Sequence, residues 1–387
     1  MRTNSFLLVA FLTACATAPT VPLKAAEQKS DLWVDAAHGR PGASGTQQKP
    51  CQSISDALAL LPETLSSSVT IHLAAGDYST TGGKHMPSDR LDLMRRMRPG
   101  VEVRIAGKSS DGNKTSRFAW EGGTAMVVAT EGIWSIENIQ IGIGTTRQRR
   151  GVMATGPAQV TLKNITFRTR SQSDAAIYAE RGGLVLLRGN IRINEDLHQK
   201  PRDESFAGII ATDHGIVRFA ESDGASLDIG NGSLSASYYG CIALGCKTAR
   251  ITSWGDQSNT LAINNGGRID LRNTTTTLVA KQKQNTPIGL EHDGHILAEG
   301  AHIIIEGENG MAIALQKAST LTCNDIELRG KFDKSIWASS GSMFVGRFLT
   351  DVSDLDADTS AQINIEAIQG KVTGHATARR NATISLP

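Results

Sequence analysis

The stretch Ile288–Gly300, IGLEHDGHILAEG, holds the pattern that decides the fold of this chain. A few apolar residues precede a polar turn that contains a glycine, and apolar and polar residues then alternate. Alternation with a period of two is typical of a β-strand with one buried face, whereas an amphipathic helix needs a period of about 3.6. The stretch therefore predicts two short strands joined by a tight turn.

The same pattern recurs along the chain. Its nine copies are anchored at the positions Met126, Val152, Ile177, Ile209, Cys241, Ile263, Ile288, Ala312 and Ile336. Six of the eight spacings between these anchors fall between 22 and 26 residues, which is shorter than the period of helical repeats. The other two spacings are 32 residues, and we expect an extra stretch in each. The first is the charged segment Asn194–Ser205, interrupted by Pro201, which should project as a loop.

Aligning the copies places one residue of each in two inward-facing columns. The first column is Trp134, Val160, Val185, Val217, Ala249, Ile269, Ile296 and Leu321. The second is Ile136, Leu162, Leu187, Phe219, Ile251, Leu271, Ala298 and Cys323. Two continuous apolar columns are what a solenoid needs to bury a core between neighbouring repeats. Just past this strand Asn138, Asn164 and Asn273 recur, and asparagine tolerates the left-handed backbone of a corner.

The N-terminal part of the repeat region has its own order of elements. Leu32–Pro62, LWVDAAHGRPGASGTQQKPCQSISDALALLP, begins with an apolar strand and continues through a Gly-rich loop to a short helical pattern. Ser53 can cap this helix with Asp56 three residues later, and Pro62 can end it. A second strand, VTIHLAAGDYS, follows.

These features together resemble the right-handed parallel β-helix of the pectin-lyase-like superfamily, over roughly Leu32 to Arg347. The resemblance implies an all-β solenoid of about ten or more coils, with the short helix capping its N-terminal end. We expect a domain of residues 32–347, followed by a C-terminal coil and cap at 348–387. A fold of this kind does not by itself define a function.

The first residues, MRTNSFLLVAFLTAC, predict export. Arg2 is the positive n-region, and Phe6–Ala14 is an apolar h-region too short to span a bilayer. Residues 1–14 are therefore predicted to be a signal peptide, and 15–31 a linker. Leu12–Cys15 resembles a bacterial lipobox, which implies lipidation at Cys15 and an outer-membrane lipoprotein. Cleavage at a small-x-small site, giving a secreted protein, is the alternative.

Charge and cysteine content exclude some classes of protein. Forty Lys and Arg against 38 Asp and Glu give a net charge of +2, without a basic run of the kind that binds nucleic acid. The cysteines of the mature chain are Cys51, Cys241, Cys246 and Cys323. They permit three disulfide pairings but lack zinc-ligand spacing, and burial as small hydrophobic residues is favoured for most of them.

Because coils stack at about 4.8 Å, the polar turns should form one strip on the surface. The predicted strip is Glu131, Thr155, Glu180-Arg181, Asp213-His214, Cys246-Lys247, Asn264-Asn265, Glu291-His292-Asp293 and Gln316-Lys317. Arg218 and Arg250 are predicted to be adjacent on the outward face beside it, with Asp270 next to Arg250. Two stacked guanidinium groups either bind an anion or are compensated by a loop.

The strip predicts a groove for an extended, acidic polysaccharide or cell-surface glycan. In this interpretation Asp213 or His214 is a catalytic base. Substrate is bound by Arg181, Arg218, Lys247, Arg250, Asp270, Glu291, His292 and Asp293. The alternative is that these residues are only the solvated turns of a non-catalytic adhesin or structural surface protein.

The sequence contains no motif for a cofactor or for a known reaction. A G-x-S-x-G elbow, a P-loop and a dinucleotide fingerprint are absent, as are the motifs of the polygalacturonase, pectinesterase and pectate lyase families. We therefore predict no cofactor and no metal site. If the protein is an enzyme, the resemblance implies a polysaccharide lyase or a glycoside hydrolase. The membrane is expected as a partner only through the lipid on Cys15.

Overall fold

The computed structural model describes residues 30–78, 91–109, 115–118, 127–142, 150–168, 175–194, 207–220, 224–254, 259–282, 285–308 and 310–387. The described residues form an all-β protein with a single helix, α1 (Ile54–Ala59). In this part of the chain no helix is long and apolar enough to cross a membrane. The predicted signal peptide with Cys15, the anchor Met126 and all of the predicted loop after Asn194 lie outside the described residues.

Within the described residues, 34 strands follow one another along the chain. They are β1 (Asp31–Val34), β2 (Thr64–Leu65), β3 (Val69–Leu73), β4 (Gly76–Tyr78), β5 (Leu91–Leu93), β6 (Arg96–Met97), β7 (Val103–Ala106), β8 (Ser116–Phe118), β9 (Val127–Ala129), β10 (Ile133–Glu137), β11 (Gln140–Ile141), β12 (Val152–Thr155), β13 (Gln159–Phe167), β14 (Ala175–Glu180), β15 (Leu184–Ile193), β16 (Ala207–Ala211) and β17 (Ile216–Phe219). The second half comprises β18 (Ser226–Ile229), β19 (Ser233–Ser237), β20 (Cys241–Ala243), β21 (Thr248–Ser253), β22 (Leu261–Asn264), β23 (Arg268–Asp270), β24 (Thr275–Ala280), β25 (Ile288–Glu291), β26 (His295–Glu308), β27 (Met311–Leu315), β28 (Thr320–Lys331), β29 (Lys334–Ala338), β30 (Met343–Val352), β31 (Asp354–Ala357), β32 (Gln362–Val372), β33 (Ala376–Ala378) and β34 (Thr383–Ser385).

The strands form two large parallel sheets. In a 12-stranded sheet, β5, β9, β12, β14, β16, β19, β22, β25, β27, β29, β31 and β33 pair in chain order, one strand from each successive copy of the repeat. After most of these strands a turn leads into a 20-stranded sheet, to which most copies contribute two segments separated by a bend. Strand β5 is instead followed by β6, which pairs with β2 in a separate two-stranded sheet. Each segment pairs in parallel with the same segment of the next copy, so equivalent residues stack in columns.

The residues of the two predicted inward columns are buried. Because alternate side chains of a strand point to opposite faces, this burial accounts for the period-two alternation in the sequence. Val185, Val217, Ile269 and Ile296 are fully buried in the first column, and Ile136, Leu162 and Leu187 in the second. The predicted register of one copy is wrong. Ile242 lies between Val217 and Ile269 in the first column, in the place predicted for Ala249. Ala249 and Ile251 are also buried, but in the segment after the bend.

The cause of this error is strand β19. The partner of Ile209 in the 12-stranded sheet is Leu234, not Cys241, and Leu234 pairs in turn with Leu261. Cys241 instead pairs with Ile216, in the strand after the turn. The second 32-residue spacing therefore contains no inserted stretch. Strand β19 reads SLSAS, and its three serines and one alanine lack the apolar signal that marks the other copies.

The asparagine corners are confirmed. Asn138, Asn164 and Asn273 have φ angles of 55°, 51° and 60°, in the left-handed region. The side-chain Nδ2 of Asn164 donates to Oδ1 of Asn138 at 3.2 Å, and the backbone N–H of Asn190 donates to Oδ1 of Asn164 at 3.1 Å. The corner is therefore held by side-chain hydrogen bonds that run from copy to copy.

The N-terminal helix and the cysteines also agree with the sequence. Ser53 and Asp56 form the predicted capping box, and Ile54, Ala57 and Leu58 of α1 face the core. No disulfide joins the four cysteines that the structure describes, and Cys51, Cys246 and Cys323 are buried. Burial raises the pKa of Cys246 to about 12, so this thiol stays protonated and packs as a small hydrophobic residue.

Candidate functional site

The turns that follow the 12-stranded sheet form a continuous column on the surface. We call it the turn column and define it by its central residue pairs, which are Arg181-Gly182, Asp213-His214, Tyr238-Tyr239, Asn265-Gly266, His292-Asp293, Lys317-Ala318, Ser340-Gly341, Thr359-Ser360 and Arg380-Asn381. Both residues of every pair have a positive φ angle, as in a type I′ turn. Backbone hydrogen bonds link successive turns, for example from His214 N–H to the carbonyl of Tyr238 at 3.1 Å.

The left-handed backbone of Asp213 and His214 belongs to the architecture. A non-glycine residue in this region costs roughly 1–2 kcal/mol, and such strain is often stored at functional sites. Here the same conformation recurs in every turn of the column. It follows that the conformation alone does not mark Asp213 and His214 as a reaction centre.

Asp213 and His214 lie side by side in the solvent-exposed part of their turn. Nδ1 of His214 lies 3.4 Å from Oδ1 of Asp213. The imidazole ring also stacks on Tyr239 of the next turn, with 5.5 Å between ring centroids and an angle of 23° between planes. His214 is therefore part of an aromatic stack as well as an acid–imidazole pair.

Tyr238 and Tyr239 are the residues that the sequence analysis missed. They occupy the position in the column that was assigned to Cys246-Lys247, and 59% and 67% of their surfaces are exposed. A side chain on Gly266 in the following turn would overlap the ring of Tyr239, so this ring lies over the glycine backbone. The spacing from Ala236 to Gly240 matches that from Ala211 to Gly215, and this signal could have identified the turn.

The side chains of Glu291, His292 and Asp293 bond to their neighbours in the column. Nζ of Lys317 donates to Nε2 of His292 at 2.8 Å, and Glu291 lies 3.8 Å from the other ring nitrogen. Asp293 lies 3.2 Å from Nε2 of His295. This cluster and Asp213 are three turns apart in the column, as predicted, so the two groups do not share a reacting atom. Arg181 lies one turn before Asp213 and is exposed.

The predicted pairing of Arg218 with Arg250 is wrong. Arg218 is in the segment before the bend, in the same column as Ala243 and Asp270. Arg250 is in the segment after the bend, between Asp228 and Thr277, and lies 3.8 Å from Glu306. The shift follows from the misaligned copy described above.

Two further predicted binding residues also have other surroundings. Lys247 is exposed at the bend before β21 rather than in the turn column. Asp270 is bound by Arg272 at 2.6 Å and by Arg268 at 3.4 Å. Burial raises the pKa of the Asp270 carboxyl, but the hydrogen bonds and charges of these arginines outweigh it, so that the pKa lies below its usual value. Asp270 is thus held as a carboxylate by its own neighbours.

A second charged cluster, also missed, lies on the outward face of the segments after the bend. His302 is bracketed by two carboxylates, with Nδ1 2.7 Å from Asp325 and Nε2 3.5 Å from Glu327. Arg329 binds Glu327 at 2.7 Å and Glu306 at 3.5 Å. The hydrogen bonds from Arg329 hold the pKa of Glu327 below its usual range. These ion pairs link successive copies, and their charges are already compensated.

Among the described residues, no three His, Cys, Asp or Glu side chains are arranged to hold a metal ion. The turn Glu291–Asp293 is among the residues to which this applies.

No protein-family model matches the chain, and no curated protein matches it either. Among solved structures, the chain is similar to a GH136 lacto-N-biosidase from Eubacterium ramulus, at 11% sequence identity and a TM-score of 0.38. The similarity covers 92% of this chain and 68% of that one. A likeness at this level identifies neither activity nor substrate.

Proposed function

We propose that the protein binds an extended, acidic polysaccharide along the turn column. The observation that carries the proposal is the pair Tyr238-Tyr239. A bulky side chain with positive φ is costly, and a type I′ turn is formed at lower cost by Asn-Gly. Tyr238 and Tyr239 are both strained, and despite the stack of Tyr239 on His214 both rings remain mostly exposed. Exposed aromatic rings do offer flat apolar surfaces with a polar edge, which suit the faces of sugar rings.

The rest of the column supports a polymeric and negatively charged ligand. The turns repeat at about 4.8 Å, a length comparable to one sugar unit of an extended chain. In the column, the cation Arg181 lies two turns before the tyrosines and the cation Lys317 lies three turns after them. Arg218 lies in the strand that follows the Asp213-His214 turn, is exposed, and forms no ion pair with any carboxylate that the structure describes. A free guanidinium group at this place can bind a carboxylate or a sulfate.

The proposal includes a finer fold and a location for the protein. The parallel pairing of successive copies and the burial of both inward columns support a right-handed parallel β-helix. The lipobox-like Leu12–Cys15 supports export and attachment to the outer membrane through a lipid on Cys15. A radiolabelled fatty acid should be incorporated into the wild-type protein in a lipoprotein-processing host and not into Cys15→Ser. Equal labelling of both proteins contradicts the anchor.

The test of binding replaces the tyrosines with the residues that the turn prefers. Tyr238→Asn/Tyr239→Gly should fold at least as stably as wild type, because Asn-Gly suits a type I′ turn. Its affinity for a uronate-containing polysaccharide, measured by affinity electrophoresis, should fall at least about fivefold if each of the two rings contributes about 0.5–1.5 kcal/mol.

The matched control makes the same change five turns further along the column. Thr359→Asn/Ser360→Gly should gain similar stability and keep wild-type affinity. Undiminished binding by the tyrosine variant, or equal loss in both variants, contradicts the proposal.

Cleavage of the polysaccharide is a second candidate function, favoured by the contact between Asp213 and His214. In a lyase or hydrolase one of these groups would remove or deliver a proton at the bound chain. New reducing ends and absorbance of unsaturated products should then appear with wild type and disappear with Asp213→Ala and with His214→Ala. Binding without new ends on any substrate supports the alternative of a non-catalytic adhesin.

A further inference from the structure

A recess opens where the long strands of the 20-stranded sheet end, away from the turn column. Strand β28 starts at Thr320, just after the Lys317-Ala318 turn, and ends at the recess with Lys331. The recess has a volume of about 530 Å³ and is lined by residues near the ends of β28, β30 and β32. A smaller recess of about 300 Å³ adjoins it and shares Gly330. Cavities of several hundred Å³ suit small-molecule ligands.

The rim of the larger recess carries two uncompensated cations. Lys331 and Lys371 are exposed, and within the described ranges neither ammonium group lies within ion-pair distance of a carboxylate. Glu308 faces Lys331 in the strand register, yet the two form no ion pair. The acid of the recess, Asp351, accepts a hydrogen bond from the backbone N–H of Lys371 at 2.9 Å.

This arrangement differs from the surface next to it. Arg329 lines the adjoining recess and forms ion pairs with Glu306 and Glu327. Its charge is compensated, whereas those of Lys331 and Lys371 are not. An ammonium group on a flexible stem acts as a point charge toward carboxylate, sulfate or phosphate.

The larger recess also has an aromatic wall. Phe332 is half-buried and packs against the hydrophobic core. A Cβ atom on Gly307 would lie 3.2 Å from its ring, so the glycine lets the ring approach the strand closely. An apolar ring beside two free cations suits a ligand that has one apolar face and one negative group.

We infer that this recess binds an anionic monosaccharide, meaning a sugar ring that carries a carboxylate, sulfate or phosphate. The ring packs on Phe332, and the negative group is bound by Lys331 and Lys371. The site does not depend on ligand binding at the turn column, because different residues at the other end of β28 form it.

The test titrates the full-length chain with glucuronate, glucose 6-sulfate and glucose 6-phosphate, with glucose as the neutral probe, and follows binding by ligand-observed NMR. At least one anionic sugar should bind at millimolar or lower concentration, and glucose should bind at least tenfold more weakly. Lys331→Ala and Lys371→Ala should each weaken binding at least fivefold, whereas Lys331→Arg should largely keep it. Lys163→Ala, at an exposed lysine of another strand, serves as the matched control and should bind like wild type.

Three results would overturn the inference. The first is that none of the anionic sugars binds to wild type. The second is that the Lys331→Ala/Lys371→Ala double variant, shown to be folded by circular dichroism, binds unchanged. The third is that inorganic sulfate binds as tightly as glucose 6-sulfate, because the sugar ring then contributes nothing. Tyr238→Asn/Tyr239→Gly should bind the monosaccharide normally, so failure of the turn-column proposal is distinguishable from failure of this one.

Discussion

Gly240, at the end of the tyrosine turn, shows how closely the copies approach one another. A Cβ atom here would overlap the carbonyl oxygen of Ala211 in the preceding copy. The backbone of Gly240 lies outside the left-handed region, so the constraint is steric. Gly240→Ala should therefore lower the free energy of unfolding by about 1–3 kcal/mol, the usual cost of overpacking. Thermal unfolding followed by circular dichroism measures the loss.

The matched control is Gly245→Ala in the same copy. A Cβ atom on Gly245 would come no nearer than 3.8 Å to Phe219, an ordinary van der Waals distance. This variant should unfold within a degree or two of wild type. Equal midpoints for the two variants would show that the close approach at Gly240 is not a constraint.

Asp270 illustrates a charge held by its own strand neighbours. Arginine contacts lower the pKa of this carboxyl in the folded state, so it contributes stability above its unfolded pKa of about 3.9. That contribution is lost as the pH falls through the folded-state pKa. The stability difference between wild type and Asp270→Asn, measured as urea midpoints, should be largest near neutral pH and should shrink below about pH 4. A difference that stays constant down to pH 2 contradicts the depressed pKa.

At the scale of single elements, the asparagine corner combines two stabilising effects. Asn164 has a φ angle of 51° and bonds to the corners of both neighbouring copies. Asn164→Ala should lose these hydrogen bonds and also strain the backbone, at a cost of about 1–3 kcal/mol. Asn164→Gly removes only the hydrogen bonds and should lie between wild type and the alanine variant in urea unfolding. The reverse order of the two variants would refute the backbone contribution.

Elements with a strong local signal could be predicted from the sequence. The capping box at Ser53 and the left-handed asparagines were predicted because one residue type specifies one backbone conformation. Strand β19 could not be recognised by hydrophobicity, because Leu234 is its only large apolar residue. Small residues are sufficient to form this strand. Ala236 is fully buried, and the backbone of Gly267 in the next copy lies close to the carbonyl of Ala236. The geometry of the turn, and not the composition of the strand, fixes the register of this copy.

At the scale of the whole molecule, the candidate site depends on register more than the core does. The misaligned copy contributed Ala249 and Ile251 to the predicted inward columns. Both residues are apolar and buried, although in the segment after the bend, so the error was invisible in the core. The same error replaced Tyr238-Tyr239 by Cys246-Lys247 on the surface and placed Arg250 beside Arg218. Replacing one segment by another with the same period-two alternation keeps the inward face apolar, whereas it changes every residue of the surface column. For this reason the all-β class with parallel strands was predictable from the sequence, and the tyrosine surface was not.

The architecture also predicts how damage spreads. Each copy pairs with the copies immediately before and after it, so its stability should depend mainly on nearest neighbours. Ile242 is fully buried between Val217 and Ile269, and Ile242→Ala should cost about 2–5 kcal/mol. In hydrogen exchange followed by mass spectrometry, peptides from β17, β20 and β23 should lose protection, while α1 and β32 stay close to wild type. Thr248→Ala, at an exposed position of the same copy, should leave all of these peptides unchanged. A uniform loss of protection along the chain would instead mean that the copies unfold as one cooperative unit.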